Sequence, residues 1–254
     1  MGFRQHHRNT PTLSTLAVAL LLAGCGGALP ENAGPEQGAR KDIVGTGKNL
    51  YSQHGEELVI RDFFQDRRNG FFLDVGCAWP VADSNTYYLE SELGWTGIAV
   101  DALDDYAPRW LKRRRGSKFF QFVVTDRSGE SMTFYRPRDR ELLGISTLTP
   151  QAAPGAKKID FEEIRVETIT LNDLLGRNGV SRIDLLSMDI EGHEPPALAG
   201  FDVNRFQPEL VVIEAKAANR APVIEYFTAH GYERIERYDE YDFVNYYFTP
   251  NGPR

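Results

Sequence analysis

Cysteine is scarce in this chain, whose 254 residues include only Cys25 and Cys77. Two cysteines are too few for a framework of several disulfides. Together with the five histidines they show no spacing typical of zinc ligands, so we predict no metal site. The small folds that depend on disulfides or zinc are therefore excluded, whereas 254 residues suffice to bury the core of one α/β domain.

An excess of positive charge is also missing. The chain has 29 lysines and arginines against 36 acidic residues, a formal net charge of -7. Because a negative surface repels a phosphate backbone, we predict that nucleic acid is not a partner. The one dense basic run, residues 109–118 (RWLKRRRGSK), is typical of the solvated face and end of a helix. A patch for nucleic acid or an anionic substrate is the alternative.

No apolar run reaches the roughly 20 residues that a membrane span needs. The N-terminus instead has a basic start with Arg4 and Arg8, a short apolar run from Leu16 to Ala23, and small residues before Cys25. This order is typical of a secretory signal, and with Leu-Ala-Gly-Cys it resembles a bacterial lipoprotein leader. The resemblance implies an acylated Cys25 and a lipid anchor in the membrane, on the outer side of the bacterial inner membrane or in the outer membrane. A misread start or leader would leave the protein in the cytoplasm.

The rest of the chain divides by composition. The stretch after the leader is rich in Gly, Pro and Ala and lacks an apolar period, which favours a flexible tether. The predicted organisation is a signal peptide at 1–24, a tether at 25–41 and one folded domain at 42–254.

The domain is organised around residues 71–101, which predict a strand, a glycine turn, a helix and a second strand. The apolar run of residues 71–75 has no helical period and ends at Gly76, as in a strand buried on both faces. The second strand ends on Asp101, 27 residues after Asp74. In open α/β sheets ligands bind beyond the carboxyl ends of the strands, and an acid at such a distance commonly holds a ribose hydroxyl. The predicted ligand is a nucleoside.

Further elements follow from apolar runs, turn residues and helix caps. Strands are predicted at 119–124, 131–135, 164–167, 183–188 and 210–215, helices at 51–64, 84–93, 104–114, 171–175 and 223–230, and a closing antiparallel hairpin at 232–237 and 242–248. The least regular segment, residues 137–160, is where we expect acceptor specificity.

Five short sequence blocks, taken together and in their order along the chain, are specific enough to indicate a protein family. They are SQHGEE (52–57), FFLDVG (71–76), SNTYYLE (84–90), ELGW (92–95) and LLSMDIEGHE (185–194). From about residue 50 to 248 the chain thereby resembles the FkbM family of S-adenosylmethionine-dependent methyltransferases. The resemblance implies an α/β, Rossmann-like class I methyltransferase fold, a mostly parallel sheet with a C-terminal antiparallel hairpin, and S-adenosylmethionine as cofactor.

The resemblance also assigns residues to the cofactor. Asp74 and Gly76 belong to the first turn, Asp101 fits the ribose, and Asp126, after the third strand, fits the adenine amino group or caps its own turn. One departure is the turn Cys77-Ala78-Trp79-Pro80, where the family usually has small, glycine-containing turns. Trp79 either blocks the close approach of the cofactor or stacks on it.

A second group of candidate site residues lies in the block from Asp189 to Glu194, at the carboxyl end of a predicted strand. Charged groups in such number do not face a core without partners. His193 is the candidate general base because its intrinsic pKa is near neutral, Asp189 is the second candidate, and Glu191 is the third site residue. The carboxylates also suit a divalent ion, an alternative to our prediction of none.

The acceptor is predicted to be a small molecule, with Gln53 and Glu214 as binding residues. The leading hypothesis is O-methylation of a hydroxyl on a sugar or similar acceptor. A non-catalytic, membrane-anchored lipoprotein that keeps the methyltransferase fold as a binding or scaffold module is the other hypothesis, because the altered turn and the export leader both argue against cytoplasmic methyl transfer.

Overall fold

Short apolar strands in the middle of the chain build the central sheet of the protein. The structure is a computed structural model that describes residues 40–148 and 159–252. Its strands are β1 (Phe71–Val75), β2 (Thr96–Asp101), β3 (Ser117–Gln121), β4 (Val123–Val124), β5 (Ser131–Pro137), β6 (Phe161–Ile169), β7 (Leu185–Met188), β8 (Leu210–Glu214), β9 (Tyr232–Arg234) and β10 (Asn245–Pro250).

Seven of these strands form one sheet in the order β3-β2-β1-β7-β8-β10-β9. β3, β2, β1, β7 and β8 run parallel, whereas β10 pairs antiparallel with both β8 and β9. The order reverses at β1, so the crevice beyond the carboxyl ends of β1, β2 and β7 is the expected ligand site of such a sheet. The prediction of a Rossmann-like, mostly parallel α/β fold with a C-terminal antiparallel hairpin is confirmed.

Helices cover both faces of the sheet. They are α1 (Ile43–Thr46), α2 (Glu56–Phe64), α3 (Tyr87–Leu93), α4 (Ala107–Arg113), α5 (Leu171–Arg177), α6 (Glu194–Ala199), α7 (Val203–Phe206) and α8 (Arg220–Ala229). The side chains of α2, α3 and α4 pack on one face and those of α5 to α8 on the other. In the described part of the chain no helix is long and apolar enough to span a membrane.

β1 shows how the core is divided between the two faces. Phe72 packs with α2 and α3, whereas Leu73 and Val75 pack with the opposite helices, and all three side chains are at most 1% exposed. Because successive side chains of a strand point to opposite faces, Asp74 lies on the same side as Phe72. Each fully buried apolar side chain of this kind contributes about 1.5 to 3 kcal/mol to the stability of the fold.

The predicted bounds differ from the structure at several elements, most of all at two. The helix predicted at 51–64 begins only at Glu56, because Gly55 adopts a left-handed backbone with φ of 98°. The preceding loop folds onto the helix start, where Glu57 accepts the backbone N–H of Tyr51 at 3.0 Å and Ser52 Oγ accepts that of Glu57. This loop conformation takes Gln53 out of the helix.

The strand predicted at 119–124 is divided in two. β3 forms the edge of the main sheet and is only partly buried, while β4 belongs to a second, three-stranded sheet of order β4-β6-β5. The bend lies at Phe122, whose N–H bonds the carbonyl of Asp101 at 2.9 Å. After β5 a 3₁₀ helix, Arg140–Ile145, turns the chain back toward the main sheet.

The predicted signal peptide and Cys25 lie outside the described residues, as does the predicted tether except for Arg40 and Lys41. Arg40 bonds the carbonyl of Asp62 at 2.7 Å, and the N–H of Lys41 bonds the side chain of Gln65 at 2.8 Å. Both residues are therefore attached to α2.

Candidate active site

A cavity of about 320 Å³ lies at the carboxyl ends of β1, β2 and β7. Its polar wall contains Gln53, Asp101, Asp189, Glu191 and His193. Its apolar wall comes from β4, from Phe134 of β5 and from the segment at 143–148. A concave site with a few converging polar groups and an apolar remainder is the usual form of a small-molecule site.

Gly76 holds the strand ends close together at the base of this cavity. Its φ is 77°, and a Cβ on this residue would lie 1.8 Å from the carbonyl oxygen of Asp189. The N–H of Gly76 bonds the carbonyl of Val100 at 2.9 Å, and the N–H of Asp189 bonds that of Val75 at 3.0 Å. Only glycine therefore allows β1 and β7 to end side by side, which is what leaves room for a ligand above them.

Asp101 presents its carboxylate to the cavity in a fixed orientation. One oxygen accepts the N–H of Leu103 at 2.9 Å and the other that of Ala78 at 3.0 Å. Burial raises the pKa of Asp101 to about 6, against the opposing effect of these two hydrogen bonds. At neutral pH it is therefore an ionised acceptor with lone pairs left for hydroxyl donors, which fits the ribose predicted from the sequence.

The unusual turn after Gly76 is held by the surrounding side chains. The carbonyl of Ala78 accepts from the indole of Trp110 at 2.8 Å, and that of Pro80 accepts from Arg114 at 3.0 Å. Trp79 packs edge-on against Tyr106 with ring centroids 4.8 Å apart and is half-buried. Its ring lines the cavity without filling it.

Asp74 lies behind the cavity and not in its lining. It is buried, and its carboxylate accepts the hydroxyl of Thr86 at 2.6 Å. Thr86 in turn accepts from the buried Arg114, whose guanidinium also binds Glu90 at 2.7 Å. This chain of bonds fixes the loop before α3, so the structure gives Asp74 a position suited to supporting the turn.

Three acidic side chains and one lysine meet beside Asp189. Lys216 forms ion pairs with Glu191 and, at 3.2 Å, with Glu214. Asp189 is exposed, yet the protein atoms around its carboxylate displace enough water to raise its pKa well above the usual range, and the negative charges of Glu214, Glu191 and Glu194 add to the effect. Burial also raises the pKa of Glu214, while Lys216 opposes that shift. The result is a carboxylate with high proton affinity that is open to the cavity.

Glu194 is held by the backbone around it. It is fully buried at the start of α6, accepts the N–H groups of Ile190 and Gly192, and is bonded by the amide of Asn219 at 2.8 Å. Oxygens of Asp189, Glu194 and Glu214 lie within 4.8 Å of one another, close enough to share a cation. Because Glu194 is already engaged by three donors and Glu214 by Lys216, few lone pairs in this cluster are free for a metal ion.

His193 lines the cavity next to Thr125. The Thr125 hydroxyl lies 3.2 Å from Nε2 of His193 and 3.3 Å from the carboxylate of Asp126, so it bridges the ring and the acid. Burial lowers the pKa of His193, which keeps the ring neutral at pH 7. Asp126 itself is exposed and outside the cavity lining.

Of the two predicted acceptor residues, Gln53 lines the cavity, whereas Glu214 lies behind Asp189. The apolar wall and Lys216 were missed by sequence reasoning. Ile145 and Leu148 belong to the irregular segment to which we assigned acceptor specificity. In the structure they form part of the apolar wall of this cavity, beside Phe134. Only the pairing of β5 with β6 brings this segment to the main sheet, so no local pattern could have signalled it.

The solved structures that resemble this chain in fold include methyltransferases whose sequences have low identity to it. A TehB-like SAM-dependent methyltransferase from Corynebacterium glutamicum is 15% identical with a TM-score of 0.43, covering 82% of this chain and 92% of that one. A precorrin-6y C5,15-methyltransferase from Geobacter metallireducens is 12% identical with a TM-score of 0.42, covering 80% and 90%. The 1,6-didemethyltoxoflavin-N1-methyltransferase of Burkholderia thailandensis, solved with S-adenosylhomocysteine, is 13% identical with a TM-score of 0.35, covering 76% and 74%.

Among curated protein sequences no significant match is found. The model of the methyltransferase FkbM domain, in contrast, matches residues 69–234, which include β1, the glycine turn and the block from Asp189 to Glu194. That match spans well over half of the 254 residues. The chain therefore belongs to the FkbM methyltransferase family, and its cofactor is S-adenosylmethionine.

Proposed function

We propose that this protein methylates a hydroxyl group of a small-molecule acceptor of the saccharide type. The observation that carries the proposal is the position of Asp189, a carboxylate of raised pKa that lines the cavity together with Glu191 and His193. A carboxylate of ordinary pKa is a weak base toward an alcohol, and a raised pKa improves the match.

The residues of the cavity fit the cofactor. S-adenosylmethionine supplies an electrophilic methyl group on a sulfonium. Asp101 would hold the ribose hydroxyls, and the wall that includes Phe134 and Leu148 would enclose the adenine ring. Gly76 allows the backbone to approach the cofactor closely, and Trp79 would lie against it as part of the wall.

The chain's own contribution to the reaction is to position the acceptor and to remove its proton. Fixing the hydroxyl oxygen in line with the methyl group is worth up to about 7 to 11 kcal/mol of barrier. Asp189 takes the hydroxyl proton, while Lys216 pairs with Glu191 and Glu214 beside it. This general-base step adds roughly 10²- to 10⁴-fold to the rate.

Two further side chains complete the proposed acceptor site. His193, the first candidate base from the sequence, has a neutral ring with a lone pair at pH 7, but burial lowers its pKa, so we place it second to Asp189. The amide of Gln53 offers both a donor and an acceptor to the acceptor's other hydroxyls, and Glu214 supports Asp189 from behind.

Methyl transfer to a panel of neutral and phosphorylated saccharides tests the proposal. The assay measures S-adenosylhomocysteine formation, with nuclear magnetic resonance of the product to locate the methyl group. We expect an O-methyl product and loss of turnover in Asp189→Asn, while Asp104→Asn, at an exposed acid outside the cavity lining, remains active. A methyl group on nitrogen or carbon would contradict the hydroxyl assignment.

The alternative is a non-catalytic binding module, which the altered turn at Trp79 and Pro80 favours. A folded protein that binds S-adenosylmethionine and methylates no acceptor, in the panel or in extracts of its own cells, would support this alternative.

We also propose that the leader is removed and that Cys25 is acylated, which anchors the protein in the membrane outside the cytoplasm. The proposal rests on the sequence of residues 1–25 alone. Mass spectrometry of the membrane fraction would give an N-terminal peptide with a lipid-modified Cys25. An intact Met1 in the soluble fraction would instead place the protein in the cytoplasm, where S-adenosylmethionine is made.

A further inference from the structure

A second concavity lies next to the cofactor cavity, between the turn at 79–83, α3 and α4. We call it the arginine groove, after Arg109 and Arg113 of α4 on its wall. It is open, has a volume of about 450 Å³ and includes the aromatic rings of Trp79 and Tyr87. Trp79 and Asp83 line both the groove and the cofactor cavity, so the two spaces adjoin.

The positive charge of the groove comes from its two arginines. They are four residues apart on one helix and therefore share a face. Both are exposed, and neither forms an ion pair with any residue in the ranges 40–148 and 159–252. Arg114, by contrast, is buried in the same basic run and bound to Glu90. Asp83 is the one acid among the described residues that line the groove.

The groove also has a fixed shape. The guanidinium of Arg109 lies 4.5 Å from the ring centroid of Trp79, and Trp79 is itself packed against Tyr106. Such stacking leaves the edge of the guanidinium, with its N–H donors, free for a ligand. Arg109 is thus held with N–H donors free beside the cofactor cavity, and Arg113 lies one turn further along the same helix face.

We propose that the arginine groove binds a phosphate-type group of the acceptor, so that the substrate is a phosphorylated saccharide or a saccharide diphosphate. The inference rests on the proposed function and specifies its substrate class. Guanidinium groups match phosphate oxygens in bidentate geometry. Asp83 accepts hydroxyl hydrogens of the sugar at the boundary of the two spaces, and the reacting hydroxyl extends toward Asp189. A positive groove on a protein of net charge -7 also steers such an anion to the site.

The test measures anion binding directly and does not depend on turnover. Inorganic pyrophosphate, glucose 6-phosphate and glucose are titrated calorimetrically into the protein saturated with S-adenosylhomocysteine, which keeps the anions out of the cofactor cavity. The test variant is Arg109→Gln with Arg113→Gln. The matched control is Lys112→Gln with Arg115→Gln, which removes the same charge from the same region and changes no groove residue.

We expect pyrophosphate and glucose 6-phosphate to bind and glucose to bind much more weakly. The arginine pair of substitutions lowers pyrophosphate affinity by about tenfold or more, since each guanidinium makes charge-assisted bonds, while the control stays within about threefold. Equal losses in both double variants would reduce the effect to net charge and overturn the proposal. Failure of the unmodified protein to bind either anion would overturn it as well.

The outcome separates this inference from the proposed function. If the arginine pair alone controls anion binding and yet no acceptor is methylated, the groove stands and the catalytic proposal fails. If neutral saccharides are methylated and the arginine pair has no effect on KM, the catalytic proposal stands and the groove does not bind the acceptor.

Discussion

Substitution of Asp101 by asparagine tests the most specific contact that we assign to the cofactor. The carboxylate is held by the N–H groups of Ala78 and Leu103, at 3.0 and 2.9 Å, and faces the cavity with its remaining lone pairs. The amide has nearly the same shape but no charge, and it offers one oxygen in place of two. It therefore removes the charge-assisted bonds to the ribose hydroxyls with little change in the volume of the site.

The magnitude follows from the hydrogen bonds that are lost. A hydrogen bond to a charged group is worth about 1.5 to 3 kcal/mol, so the loss of one raises the Kd roughly 10- to 150-fold. Burial raises the pKa of Asp101 to about 6, so protonation should have the same effect. As pH falls through this value the acceptor is lost, and at a pH one unit below it about nine-tenths of the molecules are protonated. Affinity should fall about tenfold there and remain level above pH 7.

Calorimetric titration of S-adenosylhomocysteine between pH 5 and 8 measures both effects. Asp104→Asn is the control, because that carboxylate is exposed and outside the cavity lining. Urea unfolding shows whether each variant is folded. If Asp101→Asn binds as tightly as the unmodified protein, or if Asp104→Asn is the weaker binder, the ribose assignment is wrong.

Three further substitutions probe the turn, the buried arginine and the proposed base. Gly76→Ala should abolish cofactor binding and lower the unfolding temperature. The new Cβ would lie 1.8 Å from the carbonyl oxygen of Asp189, and the left-handed backbone alone costs about 1 to 2 kcal/mol with alanine. Binding at unchanged affinity would refute this. Arg114→Met should lower the free energy of unfolding by about 3 to 5 kcal/mol in urea titrations, because Glu90 loses its ion-pair partner. Arg115→Met, at an exposed position, is the control and should change the free energy of unfolding by less than about 0.5 kcal/mol. Asp189→Asn should lower kcat by roughly 10²- to 10⁴-fold and remove the acidic limb of the pH–rate profile, and an unchanged profile would transfer the role of base to His193.

The fold could be predicted because its signals are local. The apolar run at 71–75, the glycine after it and the spacing to Asp101 identify a βαβ unit without reference to the rest of the chain, and the structure contains that unit. Gly94, in the left-handed conformation with φ of 71°, ends α3 as its position after an amphipathic run predicts. The strand ends then fix where the acids of the site can lie.

The rest of the site depends on contacts between distant parts of the chain. Arg114 belongs to a basic run that favours a solvated helix face, yet it is buried because Glu90, Thr86 and the carbonyl of Pro80 supply its partners. Lys216 follows β8 outside any recognisable motif, and its pairing with Glu191 exists only because β7 and β8 are neighbours. Composition and periodicity contain no information about such pairings.

The central claim is that the cavity above Gly76 binds S-adenosylmethionine despite the bulky turn at Trp79 and Pro80. Calorimetric titration of S-adenosylmethionine into the purified, folded protein tests it most directly. The account predicts one site per chain with micromolar affinity and competition by S-adenosylhomocysteine. A folded sample that shows no binding of either compound would contradict it and would make the protein a methyltransferase fold with another use.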